Sequence, residues 1–238
     1  MSSVRIPVIL LIALLLSGCM TVAEKEAIEA LPMYGQPELV RSDYLKSQDD
    51  AFIRQINYRY RGDLARASRE WSGQALDILR LGDPDSAMRR LNRAWLLDKQ
   101  NYQVYWGFAQ VLVIRDELSE AAEHLERALE LVDDPYQEPA LLTDMGTVYS
   151  LLGTEAEALQ TGQGQALFEQ ANARFSAAVV LDGTYLPVWQ RWARSLYRQG
   201  DYRAAWEKVA QARQRGARDL SSRFLQELSA RMPDPSGD

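Results

Sequence analysis

The sequence predicts an all-α chain of consecutive helical hairpins, and three observations predict it. Small and apolar residues recur 34 positions apart: Ala87, Leu91 and Ala94 reappear as Ala121, Leu125 and Ala128, and Ala171, Phe175 and Ala178 as Ala205, Val209 and Ala212. Ahead of each such segment lies a second apolar stripe with helical spacing. Tyr105, Phe108, Ala109 and Leu112 fall at i, i+3, i+4 and i+7, as do Leu142, Met145, Gly146 and Tyr149, then Trp189, Trp192, Ala193 and Leu196. Trp71, Ala75 and Ile78 form a weaker copy, with Gln74 at one apolar place. Turn signals separate the stripes at Gly82-Asp83, Gly153 and Gly200-Asp201. A hydrophobic content of 47% supplies the core such an array needs.

Read from the start, Arg5 precedes an apolar run from Ile6 to Leu16 broken only by Pro7. That run is short of the roughly 20 residues a membrane-spanning helix requires and suits the apolar region of an export signal. It ends in Leu16-Ser17-Gly18-Cys19, and Cys19 is the one cysteine of the chain, so no intramolecular disulfide is available. The tetrapeptide resembles the lipobox of bacterial lipoproteins. The resemblance implies cleavage before Cys19, acylation of its thiol and new amine, and an anchor held by several acyl chains at about 0.8 kcal/mol per buried CH₂. An ordinary cleaved signal with a chance cysteine is the alternative. Met20 stands where inner-membrane retention in such lipoproteins goes with aspartate, so the expected address is the outer membrane, facing the periplasm.

Residues 19–48, with Pro32, Gly35 and Pro37, are expected to be a lipid-anchored linker with a little nascent helix around Ala23 to Leu31. A lead-in helix is expected over 49–67. Ile56 to Tyr60 alternates like a strand, but no partner strand is apparent elsewhere, so helix is preferred. Asp83 with Pro84 reads as an N-cap followed by a first-turn proline. Thr161-Gly162-Gln163-Gly164, inside about 13 extra residues of the third unit, suggests a mobile loop or broken helix. Leu220, Phe224, Leu225 and Leu228 mark a last helix that covers the stack, and Pro233 onward is expected to fray.

These stripes and small residues resemble the tetratricopeptide repeat. Alanine or glycine at 75, 109, 146 and 193, and alanine at 87, 121, 171 and 205, stand where two helices must approach closely. The resemblance implies about four repeats over 68–218 (68–101, 102–138, 139–185 with an insertion near 154–166, and 186–218), then a capping helix over 219–232 and a disordered tail over 233–238. It also implies a protein-binding role on a concave face lined by the first helix of each hairpin. Carried onto this chain, the partner-binding groove is expected to hold Gln103, Trp106 and Gln110, then Thr143 and Thr147, then Gln190, Arg194, Tyr197 and Arg198, with Trp106 as the anchor. Ser72, Leu76 and Ser150 belong to the same lining. Some members of the family clamp chaperone C-termini with Lys and Asn. Here those places hold Ser72, Trp106, Thr143 and Gln190, with Leu76, Gln110, Thr147 and Arg194, so that clamp is not expected.

Charge bounds the function further. The net charge of −6 argues against nucleic acid. Residues 102–185 carry three arginines against fourteen acids, and residues 186–231 ten basic side chains against four acids. Either both are solvated helix faces or they form a docking surface for a charged partner. No cofactor, metal site or catalytic residue is expected. His124, the single histidine, reads as a surface residue, and the Gly162–Gly164 pair lacks the glycine and lysine of a phosphate loop. Asp83 and Asp85 fit a turn better than a calcium loop, and Trp71, Trp189 and Trp192 match packing positions. The expected function is a membrane-anchored periplasmic scaffold or assembly factor for an envelope protein. In kind it is similar to the pilotins of type IV pilus secretins and to the adaptor lipoproteins of peptidoglycan hydrolases and synthases. A small-ligand or glycan-binding lipoprotein is a further alternative, and an enzyme is not expected.

Overall fold

The computed structural model describes residues 25, 28–33, 43–218 and 220–237. The expected signal segment (1–18), Cys19 and Met20 lie outside the described residues. The helices in chain order are α1 (Asp43–Arg59), α2 (Leu64–Arg80), α3 (Pro84–Leu97), α4 (Tyr102–Ile114), α5 (Leu118–Leu131), α6 (Glu138–Ala158), α7 (Gly164–Leu181), α8 (Leu186–Arg198), α9 (Tyr202–Gln214) and α10 (Ser222–Arg231). No strand occurs among the described residues, and the alternating Ile56–Tyr60 stretch closes α1.

Local chemistry sets the helix starts. Asp63, Asp83, Asn101, Asp201 and Ser221 each accept, through the side chain, a backbone N–H of the first turn that has no partner within the helix. Each such cap is worth about 1 kcal/mol. Gly82 and Gly200 close α2 and α8 at φ +87° and +77°, a region that costs other residues more. The second hairpin turns without glycine, on Asp116 at φ 63°.

The third hairpin departs from expectation. Its extra residues lengthen both arms instead of looping out, so α6 has 21 residues and α7 has 18, against 13 or 14 in the arms of the second and fourth hairpins. Gly153 is not a turn residue. It lies inside α6 against the ring of Phe168, where a Cβ would stand 2.8 Å from Phe168 Cδ1. The turn falls instead at Gln160 (φ 54°) and Gly162 (φ +74°).

Packing follows the 34-residue recurrence. First helices α2, α4, α6 and α8 form one row and second helices α3, α5, α7 and α9 the other, each hairpin packing on the next. Ala75, Ala87, Ala109, Ala121, Ala171, Ala193 and Ala205 are all within 1% of complete burial. At Gly146 a Cβ would stand 2.9 Å from Phe175 Cε1, so the ring of α7 rests directly on the α6 backbone. A main core runs through the hairpins. A smaller N-terminal cluster joins Phe52 and Ile56 of α1 to Ala67, Trp71 and Leu97. At the far end Phe224 and Leu228 of α10 pack on Leu196, Trp206 and Val209.

Three further expectations change. The tether ends early, because residues 28–33 pack on α3 with Pro32 buried and α1 already begins at Asp43. The lead-in over 49–67 divides between α1 and α2 at the Tyr60–Asp63 turn. The tail is tied down in part: Trp206 Nε1 donates to Met232 O and Arg213 pairs with Asp234, each at 2.9 Å. His124 is buried, not exposed. It lies on the inner side of α5 with its ring 5.3 Å from that of Phe108 and 6.5 Å from that of Tyr105. Burial pushes its pKa down to about 4.

Two outcomes follow from this packing. Gly146→Leu should lower stability by about 1–3 kcal/mol, since the added side chain must displace Phe175; unfolding in urea checks it, and an unchanged midpoint would contradict the close crossing. His124 has a folded pKa below its unfolded value of about 6.5, so only the unfolded chain takes up its proton between the two. That contribution is full above the unfolded pKa and falls as pH drops toward 4. About 2 kcal/mol should be lost between pH 7.5 and pH 5, and His124→Phe should flatten that part of the stability profile. A profile unaltered by the substitution would show that His124 is not the group responsible.

Candidate partner-binding groove

The face of the first-helix row that does not pack on second helices is crossed by side-chain contacts from hairpin to hairpin. Ser72 Oγ on α2 lies 3.2 Å from Gln103 Oε1 on α4. Trp106 Nε1 on α4 donates to Asp144 Oδ2 on α6 at 2.6 Å. The Arg191 guanidinium on α8 donates to the other oxygen of the same carboxylate. Arg198 donates to Ser150 Oγ at 3.4 Å. Helix α2 packs directly on α4, and α6 on α8, whereas α4 and α6 stand farther apart and the Trp106 indole bridges them.

Asp144 thus serves two donors from two neighbouring hairpins. Its side chain is 21% exposed and that of Arg191 40%, so the pair sits on the groove floor in partial contact with solvent. Burial pushes the Arg191 pKa down, and burial followed by the charge of Arg194 does the same for Arg198. Both guanidiniums remain protonated at neutral pH. The direction records the cost of holding cations in a partly dry groove, a cost an incoming carboxylate would relieve.

The residues expected in the groove separate into three sets. Gln103 and Trp106 make the contacts just described, and Gln110, Thr147 and Gln190 are half-buried on the same helices. Thr143 is wholly buried and its hydroxyl donates to Pro139 O at 2.7 Å, so it offers no surface to a partner; Ser72 and Ser150 are buried as well. Ser72 meets Gln103 and Ser150 meets Arg198, so these two lie in the seam between adjacent first helices. Tyr197 and Arg194 turn toward α10. The Tyr197 ring packs 5.9 Å from Phe224 and 5.5 Å from Tyr202, and the Arg194 guanidinium lies 4.9 Å from the centre of the Phe224 ring. Arg198 alone of these three leans over the row of first helices.

Asp144 and Arg191 were missed by sequence reasoning. Each is one residue past a position assigned to the groove, Thr143 and Gln190, and a stripe argument treats such neighbours as flanks. One signal was available: Asp144 is the lone acid between Glu138 and Glu155, in an otherwise apolar and small-residue helix. Among the described residues, no three His, Cys, Asp or Glu side chains come together in a way that could hold a metal ion.

Residues 79–145 match the tetratricopeptide-repeat family, a span from the end of α2 into α6. No curated protein matches the sequence significantly. Among solved structures the chain is similar to MamA protein, at 15% identity and a TM-score of 0.49, over 88% of this chain and 96% of that one. It is similar also to YrrB, a tetratricopeptide-repeat protein with an unusual peptide-binding site, at 16% identity and a TM-score of 0.46, over 73% and 94%. PilF of Pseudomonas aeruginosa aligns at 19% identity and a TM-score of 0.47, over 81% and 87%. The fold is an all-α solenoid of tetratricopeptide type, a protein-interaction architecture, and its own helices and the family match carry that assignment.

Asp144→Ala should cost about 1–3 kcal/mol, because it deprives Trp106 and Arg191 of their shared acceptor. Urea unfolding together with the tryptophan emission maximum checks this. Wild-type stability with an unshifted spectrum would mean that the carboxylate does not join the hairpins.

Proposed function

We propose that the chain is a membrane-anchored scaffold or assembly factor of the bacterial cell envelope that holds a segment of a partner protein along the groove of α4, α6 and α8. The observation that carries this reading is the polar floor made by Trp106, Asp144, Arg191 and Arg198. Asp144 already neutralises Arg191, whereas Arg198, two helical turns further along α8, meets the neutral hydroxyl of Ser150, so a partner carboxylate has a cation to meet on the same face as the aromatic anchor. The envelope address rests on the apolar run Ile6–Leu16 and the lipobox-like Leu16-Ser17-Gly18-Cys19. Acyl chains on Cys19 and the outer-membrane address suggested by Met20 belong to the same proposal. Anchoring would raise the effective concentration of the array near its partner at the membrane. The finer assignment is pilotin-like, to a secretin that must assemble in the outer membrane; the adaptor role for peptidoglycan enzymes is its competitor.

Affinity capture of the full-length protein from envelope extracts of its own cells tests both levels. Recovery of a secretin supports the finer assignment, and recovery of wall hydrolases or synthases overturns it in favour of the adaptor. Replacing Trp106 and Arg198 together by alanine should abolish capture and leave the circular dichroism of the helices unchanged. Undiminished capture by that variant would place the contact surface outside the groove.

A further inference from the structure

Residues 28–33 are held by an arrangement that no repeat pattern requires. The side chain of Asn92, buried on α3, satisfies three backbone groups of this stretch. Its Nδ2 donates to Glu29 O and Leu31 O, and its Oδ1 accepts from Met33 N, all at 2.9 Å. From a different helix end, Arg115 donates to Ala30 O at 2.6 Å while its other nitrogen pairs with Asp85. The stretch turns on itself through Leu31 N to Ile28 O. Pro32 is buried, and Glu29 stands 4.0 Å from Arg93, which also pairs with Asp49 of α1.

The primary amide of Asn92 presents donors and an acceptor in the plane of one group, the same complement as a peptide bond. It therefore holds the backbone at the end of a helical turn, Glu29 to Met33, with little regard to side chains. A buried asparagine with only part of this complement met would cost stability. Its burial and its three bonds are thus parts of one arrangement.

We infer that residues 28–33 form a strap docked on the outer face of the first two hairpins, that Asn92 is its keeper, and that the strap fixes how closely the array is leashed to its anchor. The leash rests on the proposed acylation of Cys19; the docking does not. With the strap seated, Lys25 is helical and donates to Gln48 Oε1 of α1 at 3.3 Å, so only six residue steps run from Cys19 to the docked chain, an upper limit of about 20 Å. With it released, twenty-four residue steps run from Cys19 to Asp43, an upper limit of about 80 Å.

Hydrogen exchange and energy transfer on the full-length chain in phospholipid vesicles test this. In the wild type the Met33 amide should exchange at least about tenfold more slowly than an unstructured amide. Asn92→Leu should abolish that protection, and Arg115→Ala should weaken it, while the Ala121 amide in α5 stays protected as the control for folding. A dye on Glu123→Cys, paired with a headgroup acceptor, should lose transfer efficiency when Asn92→Leu is added. Fast exchange of Met33 in the wild type would overturn the strap. Full Met33 protection in Asn92→Leu would overturn the keeper. Transfer unaffected by Asn92→Leu would overturn the leash. Mass spectrometry of the Cys19 peptide separates the two readings: a bare thiol with a protected Met33 amide defeats the anchor and the leash and leaves the strap standing.

Discussion

The close crossing of the two helices in each hairpin is the constraint on which the rest of the structure depends. Helix axes can approach closely only where one side presents hydrogen or methyl in place of a larger group. Ala75 with Ala87, Ala109 with Ala121, Gly146 with Ala171 and Ala193 with Ala205 meet that condition four times over. Once the hairpins are narrow, large side chains such as Phe108 and Phe175 fill the space between them, and the stack grows in one dimension, each unit held mainly by its neighbours. Its ends then need covers. Phe52 and Ile56 of α1 serve at one end and Phe224 and Leu228 of α10 at the other, each with a cluster separate from the main core.

That constraint explains how far the fold was legible. A crossing residue must be small whatever surrounds it, so the alanines appear in the sequence at a fixed period and the helices could be placed around them. The third hairpin was harder to read because glycine answers two physical demands. Gly200 is needed for a left-handed turn, and Gly153 for a ring that lies against the backbone, and one sequence offers nothing to separate them. The same limit hid the burial of His124. Flanked by acidic positions on an amphipathic helix, it looks solvated, yet it faces the rings of Tyr105 and Phe108 from the preceding helix. Stripe arguments carry no term for a neighbour contributed by another segment.

The groove was less legible than the fold for a related reason. Periodicity separates positions that pack within a hairpin from positions that do not, and Trp106 and Gln103 were found that way. It does not separate positions facing solvent from those that end up covered: Thr143 is wholly buried, and Ser72 and Ser150 sit in the seam between successive first helices. Nor does it anticipate that α10 folds back far enough to engage Arg194 and Tyr197. The contact between Asp144 and Arg191 joins residues 47 positions apart, and its partners become visible only once the stack is assembled.

The two faces of the array then divide their tasks on physical grounds. Second helices present an outer face, and on α3 that face meets backbone through Asn92, a group suited to holding a chain turn of whatever side-chain sequence. First helices present a face whose floor is charged and aromatic, suited to reading side chains. An acidic middle and a basic C-terminal quarter add a gradient along the stack. On the groove side that gradient ends at α8, where Arg191 is matched by Asp144 and Arg198 meets a neutral hydroxyl. The charge along that face is therefore uneven, with a matched pair at its middle and the Arg198 cation toward one end.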